Sequence, residues 1–126
     1  MVNLKDIYRK NVFKFGNATF TLESQIPSFQ APWGIITAWN PNNLRFPSAM
    51  NTIRNKRLYW MLKRLGYTST LGKGGLGKHF EESFLIESIS LKNTLKFGRF
   101  YQQYSIFWCD GKRSGYYLCK DGNSIV

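Results

Sequence analysis

The pattern of hydrophobic and polar positions in the middle of the chain changes from that of a strand to that of a helix. Residues 33–39 are mainly apolar and aromatic and end at Asn40-Pro41, which predicts a buried strand followed by a turn. In the next segment apolar residues recur every three or four positions. Because Pro47 and Gly66 stand where helices commonly start and stop, this segment is predicted to be a helix.

The elements predicted on either side are shorter. Residues 2–15 are predicted to be a short helix or an extended arm, with a strand near 18–22. Ser90 is predicted to cap a second helix, and Asp110-Gly111 to form the turn of a closing hairpin. The patterns after the first long helix predict, in order, a strand at 67–71, a strand at 80–88, a helix at about 91–100, and hairpin strands at 104–109 and 115–120.

The order of these elements predicts one α/β (α+β) domain over residues 1–126. From residue 33 the order is β-α-β-β-α-β plus one strand, which is typical of a ferredoxin-like antiparallel sheet with both helices on one face. An N-terminal strand or arm and a C-terminal hairpin strand would be added to it. This topology would bring four segments to one edge: the end of the first central strand, the start of the first helix, the loop at 72–79, and the junction between the second helix and the next strand.

Two amides interrupt the apolar stripe of the first helix at that edge. The stripe consists of Asn51, Asn55, Leu58, Leu62 and Leu65, at helical spacing. Buried amides without hydrogen-bond partners cost about 1–3 kcal/mol each. Asn51 and Asn55, flanked by Arg54, therefore either hold the Asn40-Pro41 turn or orient a ligand, and both roles are compatible.

Charged and polar residues of the neighbouring segments are predicted to reach the same edge. Strand alternation places Glu82 on the helix-covered face, where it would meet Arg54, and places His79 and Glu81 on the opposite face. One expectation is therefore a buried ion pair between Arg54 and Glu82. For a lone histidine such as His79, a hydrogen-bonded role is more common than that of a base. The last of these segments adds Arg99, Gln103 and Ser105.

Positive charge is concentrated in the middle of the chain. The 126 residues include 18 Lys+Arg and 7 Asp+Glu, a formal charge of +11. No acid occurs between Glu23 and Glu81, a stretch that contains Arg45, Arg54, Lys56, Arg57, Lys63, Arg64, Lys73 and Lys78. The alternatives are a solvated helix face and an electropositive binding surface, and such a charge points to an anionic partner.

The glycine-rich segment 72–78 resembles a phosphate-binding loop only superficially. It matches G-x-G-x-x-G, and it matches a Walker A sequence except that His79 replaces the Ser or Thr that binds magnesium. Both motifs require a following helix, whereas a strand is predicted here. A flexible basic lip carrying Lys73 and Lys78, or a plain mobile hairpin, is expected instead.

Several classes of protein are not expected from this sequence. The charged N-terminus lacks the apolar stretch of a secretory signal, and no apolar run is long enough to cross a membrane. Cys109 and Cys119 with one histidine cannot make a typical zinc site, and buried thiols in a cytoplasmic protein are expected. No metal or cofactor is predicted, and the sequence leaves the oligomeric state open.

Four short motifs in order resemble a family of small bacterial and phage proteins known only as a domain of unknown function. They are T-A-W-N-P at 37–41, N-x-x-R-N at 51–55, H-x-E-E-S at 79–83 and Q-x-S at 103–105. The resemblance covers about residues 33–108 and implies a compact α/β domain without an established activity. The pattern contains a single basic residue, so the charge of +11 is particular to this member.

The leading hypothesis is a non-enzymatic protein that binds a phosphate-bearing ligand at the polar edge, for instance to sequester a nucleotide signal. The positive end of the first helix's dipole and basic residues would bind phosphate, amides would read a base or sugar, and an indole would stack on it. The candidate ligand-binding residues are Trp39, Asn40, Asn51, Arg54, Asn55, Lys73, Lys78, His79, Glu82, Arg99 and Gln103.

Three alternatives remain open. A nucleic acid could bind along the helix through Lys56, Arg57, Lys63 and Arg64, with Tyr59 and Trp60 nearby. A nucleotide hydrolase or transferase would use His79 and Glu82 as acid and base and Ser83 as a weak nucleophile candidate. A protein-interaction module would bind an acidic partner through exposed aromatics. The candidates are Trp33, Tyr101, Tyr116 and Tyr117, although core packing is expected to explain most of them.

Overall fold

Seven strands and three helices make up the computed structural model, which describes residues 4–125. The strands are β1 (Val12–Phe15), β2 (Ala18–Phe20), β3 (Trp33–Ile36), β4 (Ser69–Leu76), β5 (His79–Glu87), β6 (Ser105–Cys109) and β7 (Ser114–Leu118). The helices are α1 (Leu4–Lys10), α2 (Ser48–Arg64) and α3 (Leu91–Phe100), and a 3₁₀ turn covers Pro41–Asn43. The elements therefore follow one another in the predicted order, and among the residues described no helix is long and apolar enough to cross a membrane.

The strands form one antiparallel sheet in the order β2-β1-β4-β5-β3-β6-β7. The sheet is curled, because β1 near one end contacts strands at the other end. The ring of Phe13 lies 4.9 Å from that of Phe107 in β6, and Tyr8 of α1 stacks on Tyr116 of β7 at 4.3 Å. The curl gives the sheet one face that carries the long helices and one concave face.

The helix-covered face holds the first core. Alternate residues of the central strands, such as Phe84 and Ile86 of β5, pack there against Leu58 and Leu62 of α2 and Leu95 of α3. Ser90 caps α3 as predicted, since its hydroxyl accepts a hydrogen bond from the Asn93 amide at 3.1 Å. Both helices therefore lie against the same face of the sheet.

The concave face holds the second core, which is rich in aromatic rings. Phe13, Phe15 and Phe20 of the β1–β2 hairpin pack against Trp33 and Phe107 of the central strands. Burial of these rings helps to hold the hairpin against the sheet. Of the four aromatics considered for a protein interface, Trp33 and Tyr116 are buried in this core, Tyr101 is buried in the helix-covered core, and Tyr117 is partly exposed. Core packing therefore accounts for most of them, as expected.

The predicted loop at 72–79 is in fact the end of a long hairpin. β4 continues to Leu76, and only Gly77 and Lys78 form the turn. The glycines permit this because a Cβ at Gly72 would lie 2.2 Å from the Lys14 carbonyl oxygen of β1. The absence of side chains thus lets β1 pair with β4, and of the two expectations for this segment the structure has the hairpin.

Two of the element ends that differ from the prediction have a clear physical cause. β3 ends at Ile36 rather than residue 39, because the Ala38 amide donates to Asn55 Oδ1 of α2 instead of continuing a strand ladder. Leu65 is 59% exposed although the stripe placed it inward, because α2 ends at Arg64 and Leu65 lies in the following turn.

Candidate functional site

The turn after β3 is held to α2 by paired asparagine side chains. Asn51 is 1% exposed, and its Oδ1 accepts from the Asn40 amide while its Nδ2 donates to Asn40 Oδ1, both at 2.8 Å. Asn40 Oδ1 also accepts from the Phe46 amide at 2.9 Å. Asn40 adopts a left-handed conformation with φ of 45°, which asparagine tolerates better than most residues. The prediction that these amides hold the Asn40-Pro41 turn is confirmed.

Asn55 joins the same turn to β5. Its Oδ1 accepts from the Ala38 amide at 2.8 Å, and its Nδ2 donates to the Glu82 carbonyl oxygen at 2.9 Å. The Thr37 hydroxyl donates to that same carbonyl at 2.7 Å and accepts from the Trp39 amide at 3.0 Å. Asn55 is 1% exposed, so its amide serves the chain itself rather than a ligand.

Arg54 completes this junction, but it does not pair with Glu82. Its guanidinium donates to the carbonyl oxygens of Ala38 and Tyr101, each at 2.7 Å. The Glu82 side chain is exposed, and within residues 4–125 the geometry gives it no ion pair. Partial burial lowers the pKa of Arg54. The prediction of a buried Arg54–Glu82 ion pair is therefore wrong, because the guanidinium donates to backbone carbonyl oxygens instead.

Three of the four predicted segments do meet at this edge, which we call the edge network. The fourth is different, because β5 at Glu81 and Glu82 replaces the 72–79 segment. Gln103 contributes from the junction of α3 and β6, where its Nε2 donates to the Trp39 and Tyr101 carbonyl oxygens. The edge is consequently a hydrogen-bonded junction whose polar groups mainly satisfy the backbone.

The remaining cations predicted for the edge lie elsewhere. Lys73 is on β4, 5.3 Å from the Phe80 ring, and Lys78 is exposed at the hairpin turn. Arg99 on α3 donates to the Cys119 carbonyl oxygen. His79 is exposed on β5, three positions before Glu82, so the two side chains point to opposite faces of the strand and cannot act on one group together.

A broad groove runs along the outer face of α2 and reaches the end of α3. This feature, the helix groove, has a volume of about 660 Å³. It is lined by Ile53, Arg54, Lys56, Arg57, Trp60, Met61, Arg64, Phe100 and Tyr101. Ile53, Arg57, Trp60 and Arg64 follow one another at spacings of three or four, which makes them one stripe of the helix.

Large aromatic rings are exposed in the helix groove beside its cations. Trp60 is 57% exposed and Phe100 is 66% exposed. Lys63 lies at the border, where its ammonium sits 5.5 Å from the Trp60 ring and 5.9 Å from the Tyr59 ring. Three of the four predicted nucleic-acid residues line the groove, and Lys63 flanks it. The sequence did not indicate Phe100, because its position opposite α2 depends on how the helices pack.

A second, smaller cavity opens on the concave side next to the edge network. This strand-end pocket has a volume of about 180 Å³ and lies where β1, β3, β5, β6 and β7 surround the end of the aromatic core. Its polar lining includes Tyr8, Asn11, Thr37, Glu81, Ser83, Gln103, Ser105 and Tyr116. Within the described chain, Glu81 supplies the only carboxylate of this lining, and no lysine or arginine lines it.

The polar groups of the strand-end pocket are partly paired with one another. The Tyr8 and Ser105 hydroxyls lie 2.9 Å apart, and Asn40 Nδ2 donates to Glu81 Oε1 at 3.2 Å. Burial raises the pKa of Glu81, and the hydrogen bond from Asn40 offsets part of that rise. Glu82 rather than Glu81 was predicted for the site, because the sequence does not show that the sheet curls toward the face of β5 that carries Glu81.

Comparison with known proteins places this fold in a family but gives no activity. A search of curated proteins and a search of solved structures each found no match. A family model described as "Protein of unknown function (DUF3293)" matches residues 36–106, which include the end of β3, all of α2 and α3, and the start of β6. The resemblance read from the sequence is thereby confirmed at the level of the family. This chain belongs to the DUF3293 family.

Proposed function

We propose that this protein binds single-stranded nucleic acid in the helix groove and catalyses no reaction on it. One observation carries the proposal: the helix groove combines four cationic side chains with exposed aromatic rings and has no acid in its lining among residues 4–125. Cations attract the phosphate backbone, and flat rings stack on bases without regard to sequence.

The groove suits this ligand better than the edge network does. Asn51 and Asn55 are buried and bonded to the turn, so they are poorly placed to read a base. The cavity beside them carries the carboxylate of Glu81, which would repel a phosphate. Lys56, Arg57 and Arg64 instead lie along one exposed helix face.

Exposed rings favour single strands over a duplex. Trp60 and Phe100 offer faces that a stacked duplex cannot use, since its bases already stack on one another. Apolar surface of this kind on a soluble domain commonly marks a binding site. A duplex would meet only the cations, and its binding would accordingly be weaker.

The packing of the helices belongs to the same proposal. We assign β3-α2-β4-β5-α3-β6 to the ferredoxin-like arrangement, an assignment supported by the strand order β4-β5-β3-β6 and by the shared core of α2 and α3. Phe100 and Tyr101 at the end of α3 complete the groove that runs along α2. A cytoplasmic location is supported by the two buried free thiols of Cys109 and Cys119, which suit a reducing compartment.

Fluorescence anisotropy with a labelled oligothymidine of about 20 nucleotides tests the proposal, because every base has a face to stack on. We expect binding whose log–log salt slope is about −2 to −3, as three or four phosphate contacts would give. Arg57→Glu with Arg64→Glu should weaken binding by about tenfold or more and flatten the slope. The matched control is Lys112→Glu with Arg113→Glu, which makes the same charge change at an exposed turn outside the groove.

Each outcome separates the hypotheses. Equal losses in the two double variants would mean that net charge rather than the groove attracts the strand, and would contradict the proposal. Tight binding of a mononucleotide with a shallow salt slope would favour sequestration of a small nucleotide. Conversion of the oligonucleotide would indicate an enzyme, and an acidic protein partner retained after nuclease treatment would indicate an interaction module.

A further inference from the structure

We propose that the strand-end pocket is a second, independent binding site for a small planar group that presents two adjacent N–H donors, as amidines and the Watson–Crick edge of guanine do. The site shares no cation with the helix groove and rests on different observations. The proposal would therefore stand or fall separately from nucleic-acid binding.

The size of the pocket limits the ligand to one ring system. Its volume is about 180 Å³. A cavity of about 150 Å³ is enough to hold benzene. A benzamidine or a purine base therefore fits, whereas a whole nucleotide would have to leave its sugar and phosphate outside the mouth.

Three of the free polar atoms of the pocket are acceptors, and the Tyr116 hydroxyl, which accepts from Asn11, keeps its own hydrogen to donate. Glu81 Oε1 accepts from Asn40, which leaves Oε2 without a partner within residues 4–125. Both bonds recorded for the Gln103 amide use its Nε2, so its Oε1 is also available. Asn11 donates through its Nδ2 to the Tyr116 hydroxyl, which leaves its own Oδ1 unused. Three acceptors around one cavity call for a ligand that donates.

The local charge has the sign opposite to that of the protein. The chain carries +11, but Glu81 is the only charged side chain among the described residues that line the pocket. A half-buried carboxylate attracts a cation or a pair of N–H groups and repels an anion. An amidinium or guanine edge can bond both carboxylate oxygens side by side, which a lone ammonium cannot do.

The walls of the pocket favour a flat ligand. Phe13 and Phe107 close its inner end, and Tyr8 and Tyr116 stand together on one side. Burial raises the pKa of Tyr8 and Tyr116, so both hydroxyls stay neutral near pH 7. The pocket consequently combines one negative group with neutral rings and amides.

Titration of the ¹⁵N-labelled 126-residue protein with benzamidine and, separately, with guanosine tests the site. We expect amide shifts confined to residues around the pocket, such as Ser83, Gln103 and Ser105. Benzoate and adenosine are the matched controls, since benzoate has the shape of benzamidine with the opposite charge and adenosine lacks the paired donors. Binding of both probes would assign the site to the N–H edge itself. Binding of benzamidine alone would point to an amidine-bearing metabolite, and binding of guanosine alone to a base.

Two glutamine variants locate the interaction. Glu81→Gln keeps an oxygen that can accept from Asn40, so it should preserve the fold. It should weaken the binding of benzamidine and guanosine by about tenfold or more. Glu82→Gln makes the same change at the neighbouring exposed position and should leave binding unaltered. Absence of pocket shifts with both probes, equal shifts with benzoate, or equal binding by Glu81→Gln would overturn the proposal.

Discussion

The helix groove and the strand-end pocket lie next to each other but have opposite character. The segment that joins α3 to β6 contributes to both, since Tyr101 lines the groove while Gln103 and Ser105 line the pocket. The groove is broad, cationic and partly apolar. The pocket is small, polar and carries one carboxylate, Glu81. The edge network separates them and uses its amides to hold the chain together.

This difference teaches that the overall charge of a small protein does not assign a charge to each of its sites. A formal charge of +11 suggests that every polar cleft attracts anions. In this fold the cations lie on the outer face of α2, whereas Glu81 is partly buried on the concave face of the curled sheet. Experiments that disturb one region without the other can therefore separate their roles.

The largest effect is expected from Gly72→Ala, which would displace β1, the strand that lines the pocket through Phe13. The added Cβ would lie 2.2 Å from the Lys14 carbonyl oxygen and 2.4 Å from the Phe15 ring, so β1 would have to leave β4. We expect the free energy of unfolding to fall by about 3 kcal/mol, measured by urea denaturation. Leu71→Ala, at an exposed position of the same strand, should change it by less than about 0.5 kcal/mol. A fully stable Gly72→Ala would contradict the close pairing of β1 with β4.

Asn55→Ala should disturb both regions, because the edge network lies between them. The substitution leaves the Ala38 amide without its side-chain partner and leaves the Glu82 carbonyl oxygen with only the Thr37 hydroxyl as a side-chain donor. We expect a loss of about 2 kcal/mol in the free energy of unfolding. Thr52→Ala on the exposed face of the same helix is the control and should cost little. Equal stability of the two variants would mean that the buried amide bonds contribute nothing net.

The order of the elements was predictable because each hydrophobic period is local. The strand ending at Asn40-Pro41, the helix bounded by Pro47 and the Ser90 cap all occur close to their predicted positions. The strand before the hairpin at 72–79 was predicted to end at residue 71 instead of 76, because glycines occur in turns as well as at close strand contacts. A glycine-rich turn and a glycine-rich strand differ here only in whether β1 pairs with the segment, and that pairing joins parts of the chain that are distant in sequence.

The candidate site was predictable only where one helix contains it. Lys56, Arg57 and Arg64 share a face of α2 whatever the tertiary fold, so periodicity was enough to group them. Glu81 was missed, and Arg54 was given the wrong partner, because both depend on how loops close over the sheet edge. Side-chain bonds to backbone carbonyls leave no pattern in a sequence.

Replacement of a groove ring separates stacking from charge. Trp60→Ala removes a 57% exposed indole without changing any cation, so the affinity for oligothymidine should fall by about tenfold while the salt slope stays the same. The slope is obtained from anisotropy titrations over a series of salt concentrations. Leu44→Ala, which removes another exposed apolar side chain outside the groove lining, should leave both values unchanged. A change of slope in Trp60→Ala would mean that the ring positions the cations rather than a base.

The smallest effect concerns Glu81 and depends on pH. Because burial raises the pKa of this carboxyl in the folded protein, the folded state holds the proton more tightly than the unfolded chain does. Ionisation therefore destabilises the fold as the pH rises from the unfolded value of about 4.3 through the raised folded value. Glu81→Gln removes that cost and should stabilise the protein at pH 7 by about 1 kcal/mol or less, since solvent still reaches the carboxyl.

The stability gain of Glu81→Gln should disappear below about pH 4, where the wild-type carboxyl is protonated in both states. Thermal unfolding of the two proteins over this pH range measures it, with Glu82→Gln as the exposed control. If Glu81→Gln stabilises the fold, then the native carboxylate lowers the stability of the protein, as residues of binding sites often do. An equal gain in stability at every pH would mean that packing rather than ionisation causes it. That result would contradict the interpretation that the pocket holds the Glu81 carboxylate as a charge for a ligand.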